Sequence, residues 1–566
     1  MILPRDLATA EHVIYTSGAA DQFRAALTSA KGGRRPTFDQ ALFLLGMYLS
    51  VEAHGKSHVR RIHDVLTTEV PLEWQLKWGI RRVLDPGHPN EVWVIAEADL
   101  QNVSRSLKRA LNHTPAFLPA RLVGDHPERA RRKAGLEAIM DTITDATLIA
   151  RPAGGLDYAI DDTGLWASER ARRKILDTEV EEGDEEVVPA PTLPEDAVED
   201  EPEPTGPRKR RSRREATDAS YGVKTRKDGK RTWFFGYALH ALVRVPEESR
   251  DGIRTEPPLV QRIRLIPAGQ DIVEVSLALI DSVLATGQGI RYLLGDRHYS
   301  YKRIERWLYE LLKRGISQVV TLREDDHGFR DWEGMQFVAG HAHCPQVPEH
   351  LGVIKEPGTD ATSEEWDDFY ASIEERQAYA CQRTLPLNIN GETRWRCPAL
   401  NGTVGCPKRA GTMQAARSLG LPLINQPPEH TLPICTQDSV GLRATNETQG
   451  RLLKTHQKHY WGSRIQIALA KRRTFVEGWF GTFKGDSAAN KNRGSSLYTG
   501  LAHASIEVSI FSAVANVINL RSWHDETGLG DPTHPLLAEP EYHGFRYLSR
   551  QEHDQHIRDH LDEHAA

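Results

Sequence analysis

Cysteine is scarce, with five among 566 residues, and none sits at the short spacing of a tight pair. That excludes a disulfide-dense secreted scaffold and points to a reducing, cytoplasmic setting. Long hydrophobic runs are missing too. Stretches such as Ala41–Leu49 stop far short of the roughly 18–20 apolar residues that a membrane helix needs, so no membrane partner is expected. Met1–Ala10 mixes Arg5 and Asp6 with apolar residues and does not read as a signal sequence. No Walker-type loop ending in Gly-Lys-Ser/Thr occurs, which disfavours a nucleotide-driven motor. No His-Glu-x-x-His stretch occurs, which disfavours a zincin-type protease. What remains is 39% hydrophobic, enough to bury a sizeable core in roughly two to four domains.

The net charge of −6 hides an uneven distribution. Between Asp177 and Pro207 there are 13 acids and no Lys or Arg, and from His524 on there are 10 acids against three arginines. Without these two segments the balance becomes +14. A basic body suits a polyphosphate partner, because cationic side chains displace condensed counterions. Ordinary solvated lysines and arginines give the same total.

Residues 1–150 read as helical. Thr37 precedes the apolar stretch Phe38–Leu49 as a cap would, and Ser57 precedes Val59, Ile62, Val65 and Leu66 on one helical face. Leu100, Val103, Leu107 and Leu111 form a further stripe, as do Leu136, Ile139, Met140 and Ile143. Such a head suits DNA binding and equally suits any small helical bundle. Alternation of Leu156, Tyr158 and Ile160 with Asp157, Ala159 and Asp161 then predicts a strand. The acidic linker Asp177–Pro207 is too charged to pack, and the basic run Arg208–Arg214 follows it, either solvated or as a phosphate-contacting arm. Further strands are predicted at Thr232–Val245, Leu259–Ile266, Gly289–Gly295 and Gln318–Leu322, with helices at Val273–Ala285 and Lys302–Arg314. This succession fits a mixed α/β sheet, antiparallel early and parallel late. Residues 325–460 lose periodicity, hold all five cysteines and read as an insertion with an irregular fold. Ala468–Lys484 and Leu501–Leu520 read as long helices, the second a core helix, and residues 524–566 as an acidic, His-rich tail.

Three acids stand out by position. Asp161 and Asp296 close predicted strands, where ligands of α/β sheets usually bind, and Glu477 lies within the helix Arg472–Lys484. Carboxylates are hard ligands suited to Mg²⁺. On that helix Arg473, Glu477 and Lys484 share one face, and Phe475, Trp479 and Phe483 form a separate apolar one. A solvated ion-pair face on an amphipathic helix is the plainer account of the same pattern.

Taken together, these pieces resemble the DDE transposases of bacterial insertion sequences. Ile160-Asp161-Asp162-Thr163 looks like that family's hydrophobic–Asp–x–Thr motif. Phe234–His240 is similar to the strand that follows it, and Asp296-Arg297-His298-Tyr299 to the second Asp in an Asp-x-x-Tyr setting. Arg473, Glu477 and Lys484 match the Arg-(3)-Glu-(6)-Lys signature, although the Tyr usual three residues before the Arg is Ala470. The likeness runs in order over residues 155–520. It implies an RNase H-like mixed sheet flanked by helices (residues 151–324 and 461–523, with the linker 177–214 inside it), an N-terminal helical head and an insertion at 325–460. It further implies that Asp161, Asp296 and Glu477 bind two Mg²⁺ or Mn²⁺ ions. Water would then cut a phosphodiester at the element's end, and the freed 3′-hydroxyl would attack target DNA. Arg473 and Lys484 would contact DNA phosphates. Asp162 competes for the first position, but Asp161 has the family's one residue before Thr and lies opposite Ile160 in the alternation. The implied partners are double-stranded DNA and further copies of the chain, in the bacterial nucleoid. An RNase H-like nuclease, an inactive relative and a non-catalytic DNA-binding protein are the alternatives.

Within the insertion, Cys344, Cys397, Cys406 and Cys435 can close a tetrahedral Zn²⁺ site, with Cys381 the odd one out. The Cys397-(8)-Cys406 spacing is not a tight pair, and four unrelated thiols remain the alternative. His556, His560 and His564 share a helical face in the tail, where a solvated segment is the simpler account.

Overall fold

The computed structural model describes residues 2–537 apart from 29–36, 86–87, 115–125, 150–154, 168–169, 172–214, 217, 226–230, 248–251, 253, 359, 429–431, 486–488, 490 and 492–497. The linker Asp177–Pro207, the run Arg208–Arg214 and the tail histidines therefore lie outside the described residues.

The head is built on α1 (Leu42–His54), which is buried without a break from Leu42 to Val51. Beside it stand α2 (Glu97–Leu111) and α3 (Pro127–Asp145), whose predicted stripes all point inward. The head is not wholly helical: Arg81–Asp85 pairs antiparallel with His88–Val94. These two short strands carry too few apolar residues to show an alternation. The Pro86-Gly87 pair between them was the available turn signal. Two predicted caps are also corrected. Thr37 does not cap α1, which begins at Leu42 without a side-chain cap. Ser57 does not cap the helix Val59–Asp64; its hydroxyl donates to the carboxylate of Glu507, far along the chain.

The central sheet contains β1 (Gly155–Trp166), β2 (Ser220–Thr225), β3 (Arg231–Arg244), β4 (Val260–Pro267), β5 (Gly289–Gly295) and β6 (Ser317–Val320). Its order is β6-β5-β1-β3. Both β2 and β4 pair with β3, β2 along its first half and β4 along its second. The pairs among β1, β2, β3 and β4 are antiparallel, whereas β5 and β6 add in parallel. The chain is thus mixed α/β, with helices on both faces. On one face α4 (Ile272–Leu284) covers Leu156, Tyr158 and Ile160. The helix predicted over Lys302–Arg314 is shorter, Leu308–Lys313. Trp307 leaves the helical region (φ −122°, ψ −69°) and stacks on Tyr299 at 4.7 Å.

The other face carries α5 (Thr474–Lys484) and α6 (Leu501–Thr527). One continuous core joins this face of the sheet, both helices and the head. By length and composition α6, read from the sequence as the core helix Leu501–Leu520, could cross a membrane, unlike shorter runs such as Ala41–Leu49, yet most of it is buried inside the protein. Its Asn516 ties three elements together. The amide accepts from the Val260 N–H and from Trp479 Nε1, both at 3.0 Å, and donates to the Val260 carbonyl (3.0 Å) and Thr147 Oγ1 (2.8 Å). A buried amide with its polar groups so filled specifies one arrangement of α5 on the sheet.

Residues 325–460 are more regular than predicted. Among the described residues they hold two three-stranded antiparallel sheets and several helices, the longest Ser363–Ala378, around a separate core. The strands are three to five residues long, too short to display a period.

Candidate active site

Alternation along β1 decides which acid faces which layer. Ala159 belongs to the core beneath α5 and α6, and Ile160 to the core beneath α4. Asp161 therefore projects toward α5 and Asp162 toward α4. The parallel pairing of β1 with β5 runs to Ala159↔Leu294. Extended by two residues, that register sets Asp161 beside Asp296, on strands about 4.8 Å apart. Asp296 follows the last residue of β5, where its Oδ1 accepts the His298 N–H at 2.8 Å. The turn then folds Tyr299 back against Gly295. A Cβ on Gly295 would meet the ring at 2.9 Å, so the Gly-Asp-x-x-Tyr order has a steric reason.

The long helix predicted over Ala468–Lys484 is two helices, Arg464–Lys471 and α5, broken at Arg472–Arg473. The break coincides with two ion pairs to β1. Arg472 Nη1 reaches Asp157 Oδ2 at 2.6 Å, and Arg473 Nη1 reaches Asp161 Oδ2 at 3.3 Å. Asp157 lies four residues before Asp161 on the same face of β1, has no exposed side-chain surface, and also accepts a fork from Arg291 at 2.8 and 2.9 Å. At the far end of α5, Lys484 donates to the Thr163 hydroxyl. Val476, Trp479, Phe480 and Phe483 fill the space between, with Trp479 stacked on Phe483 at 5.3 Å, while Phe475 packs at the margin of that core.

Glu477 falls in the first turn of α5, where the helix dipole favours a carboxylate. Its Oε1 accepts Arg473 Nη2 at 2.5 Å. One planar guanidinium thus bridges Asp161 and Glu477, which puts their carboxylates within about 8 Å of each other. Arg473, expected at a DNA phosphate, occupies the space between two of the acids. Asp162 is exposed on the other side, toward His298 and Lys302. Among the described residues no three His, Cys, Asp or Glu side chains stand ready as a metal shell.

Burial first, then the charges of Asp296 and Asp162, raise Asp161 to about 7, against the lowering effect of the Asp162 N–H and Arg473. The folded protein therefore holds this proton more tightly than the unfolded chain. Its contribution to stability is complete below the ordinary carboxyl value and is lost as pH rises from about 4 to about 7. Without divalent cations, Asp161→Asn is expected to stabilise the protein at pH 8 by on the order of 2–4 kcal/mol and to change little at pH 4. Thermal melts at both values check this; a variant less stable than wild type at pH 8 contradicts it.

Sequence reasoning named Asp157, Arg472 and His240 only within their elements, His240 in the Phe234–His240 likeness, and gave none of them a role in the site. Asp157 was visible as an acid in phase with Asp161, but only pairing reveals its arginines. His240 lies across from Asp162 in the β1–β3 register. Burial, followed by the charge of His298, pushes it down to about 3, and among the described residues neither ring nitrogen has a hydrogen-bond partner.

No protein-family model matches the chain, and no curated protein matches it either.

Proposed function

We propose that the protein is a DDE-type DNA transposase, cutting phosphodiester bonds at the ends of a mobile element and joining them to target DNA from an RNase H-like catalytic domain. The observation that carries this reading is the convergence of Asp161, Asp296 and Glu477. Asp296 follows the end of β5. Asp161, expected at a strand end, instead lies midway along β1, two residues past the last one paired with β5, because β1 continues to Trp166 against β3. Glu477 stands on a helix docked over the same strand face. A mixed sheet with three antiparallel pairings among its first four strands and two parallel pairings made by its last two agrees with it, as does the basic balance of the chain outside its two acidic segments.

The donor set fits Mg²⁺ or Mn²⁺. All three groups are carboxylates, and the crowding that raises Asp161 is excess negative charge that a dication relieves. Asp161, Asp296 and Glu477 would hold the ions. Bound there, two such ions supply polarisation of the scissile phosphate and activation of the attacking oxygen. Arg473 bridges two of these acids. Its release would free a bidentate guanidinium for a DNA phosphate beside the site, with Lys484 on the same helix supplying a second cation.

The test uses purified protein, Mg²⁺ or Mn²⁺, and a DNA fragment carrying the sequences on both sides of the gene. Cleaved ends and joined products are expected, and neither product with either metal overturns the reading. Cleavage without joining would favour the nuclease alternative. Binding to the same fragment should weaken steeply as salt rises, because phosphate contacts release counterions. A flat salt response contradicts the phosphate contacts.

A further inference from the structure

All five cysteines are buried and none forms a disulfide. Four of them, brought from three sequence neighbourhoods, line one cavity of about 10 Å³, room for a single water-sized atom. Cys344 follows the strand His341–His343, Cys397 follows the strand Glu392–Arg396, Cys406 lies in a loop and Cys435 in the short helix Pro433–Thr436.

Their backbones are built alike. Cys344, Cys397 and Cys406 each precede a proline, and each carbonyl accepts the N–H three residues on: Val347, Leu400 and Arg409, all at 3.0 Å. Proline at the second position fixes such a turn. The fourth cysteine closes a turn instead, with its N–H on the Leu432 carbonyl at 2.9 Å and Pro433 again second. Arg409, from the Cys406 turn, donates to the Ile434 and Gln437 carbonyls and so clamps the Cys435 turn. Four proline-set turns around one atom-sized hole are not what unrelated core thiols require.

We propose that Cys344, Cys397, Cys406 and Cys435 bind one structural Zn²⁺ as a four-thiolate site that pins the two small sheets of the insertion together. Among the described residues these four side chains do not form a ready metal shell. Each sulfur turns about a single bond, and the backbone already brings all four to the cavity. Electrostatics agrees with a shared space. Burial and then Cys397, Cys435 and Cys406 raise Cys344 to about 12, against the Gln346 N–H, which favours its thiolate. Lys408 and Arg409 supply positive charge near Cys435. Four thiols that repel one another when ionised become net favourable once a dication sits among them. Cys381 is buried nearby but does not line the cavity.

The experiment measures metal in the purified full chain. About one Zn per chain is expected. Exchange for Co²⁺ should give the strong thiolate-to-cobalt charge-transfer absorption of a tetrahedral sulfur site. Cys397→Ser and Cys406→Ser should lose the metal, and Cys381→Ser should keep it. A wild-type chain without zinc, a cobalt form without thiolate absorption, or full zinc retention in Cys397→Ser overturns the proposal. The two wild-type readouts decide it even if the serine variants fail to fold, and neither depends on catalysis.

Discussion

Glu477→Gln is expected to lower DNA cleavage and joining by about 10³-fold or more while leaving the fold and DNA binding nearly intact. The direction follows from the role proposed for the carboxylate. An amide keeps the shape but loses the charge that would hold a divalent cation, whose stabilisation of a phosphoryl transition state amounts to several kcal/mol. The small structural cost follows from the geometry. The Glu477 side chain is 51% exposed, and its ion pair among the described residues is an i,i+4 contact to Arg473. Such pairs contribute about 0.3–0.5 kcal/mol, and the amide oxygen can still accept from the guanidinium. Rates on the flanking-DNA substrate, with melting temperature as control, decide the matter. A variant within about tenfold of wild type would remove Glu477 from the site.

Asp157→Ala should act in the opposite manner, through structure first. This carboxylate is fully buried and holds both Arg291 and Arg472. Removing one partner of a buried pair typically costs about 3–5 kcal/mol, because the remaining charge is left uncompensated. Arg291 is 44% exposed and can turn to water, whereas Arg472 at 25% is less free, so the lower end, about 3 kcal/mol, is expected. Arg472 also sets where α5 begins. Loosening it lets Arg473 and Glu477 drift relative to Asp161, and a displacement of about 1 Å can cost about 10²-fold in rate. Denaturant melts and the cleavage assay together test this. Full activity in a destabilised variant would show that the Asp157 pair does not position α5. Asp157→Glu, which keeps the charge, should recover part of both losses.

Much of the sheet was legible. The alternation through Tyr158 and Ile160, the apolar strands Val260–Pro267 and Gly289–Gly295, and the amphipathic stripes of α2 and α3 coincide with elements of the structure within a few residues. The short elements were not. The head hairpin and the insertion strands are each below the length at which a period can be told from chance. Ser57 shows a different failure. Its position suits a cap, but Glu507 is buried beside it and needs a donor more than the helix end does. The break at Arg472–Arg473 was hidden because both arginines are good helix formers; their acids on β1 decide the matter.

By itself the chain's order of residues determined which side chains can share a face: Asp161 in phase with Ala159 and Asp157, Glu477 one turn after Arg473, each proline at its cysteine. Periodicity is local, so it needs no partner to be read. Only the tertiary structure decided which faces meet. The Ala159↔Leu294 register sets Asp161 beside Asp296, one guanidinium spans Asp161 and Glu477, and four cysteines open on one atom-sized cavity. Those are contacts between segments far apart in the chain. They are fixed by how the layers pack, and no spacing along the sequence encodes them.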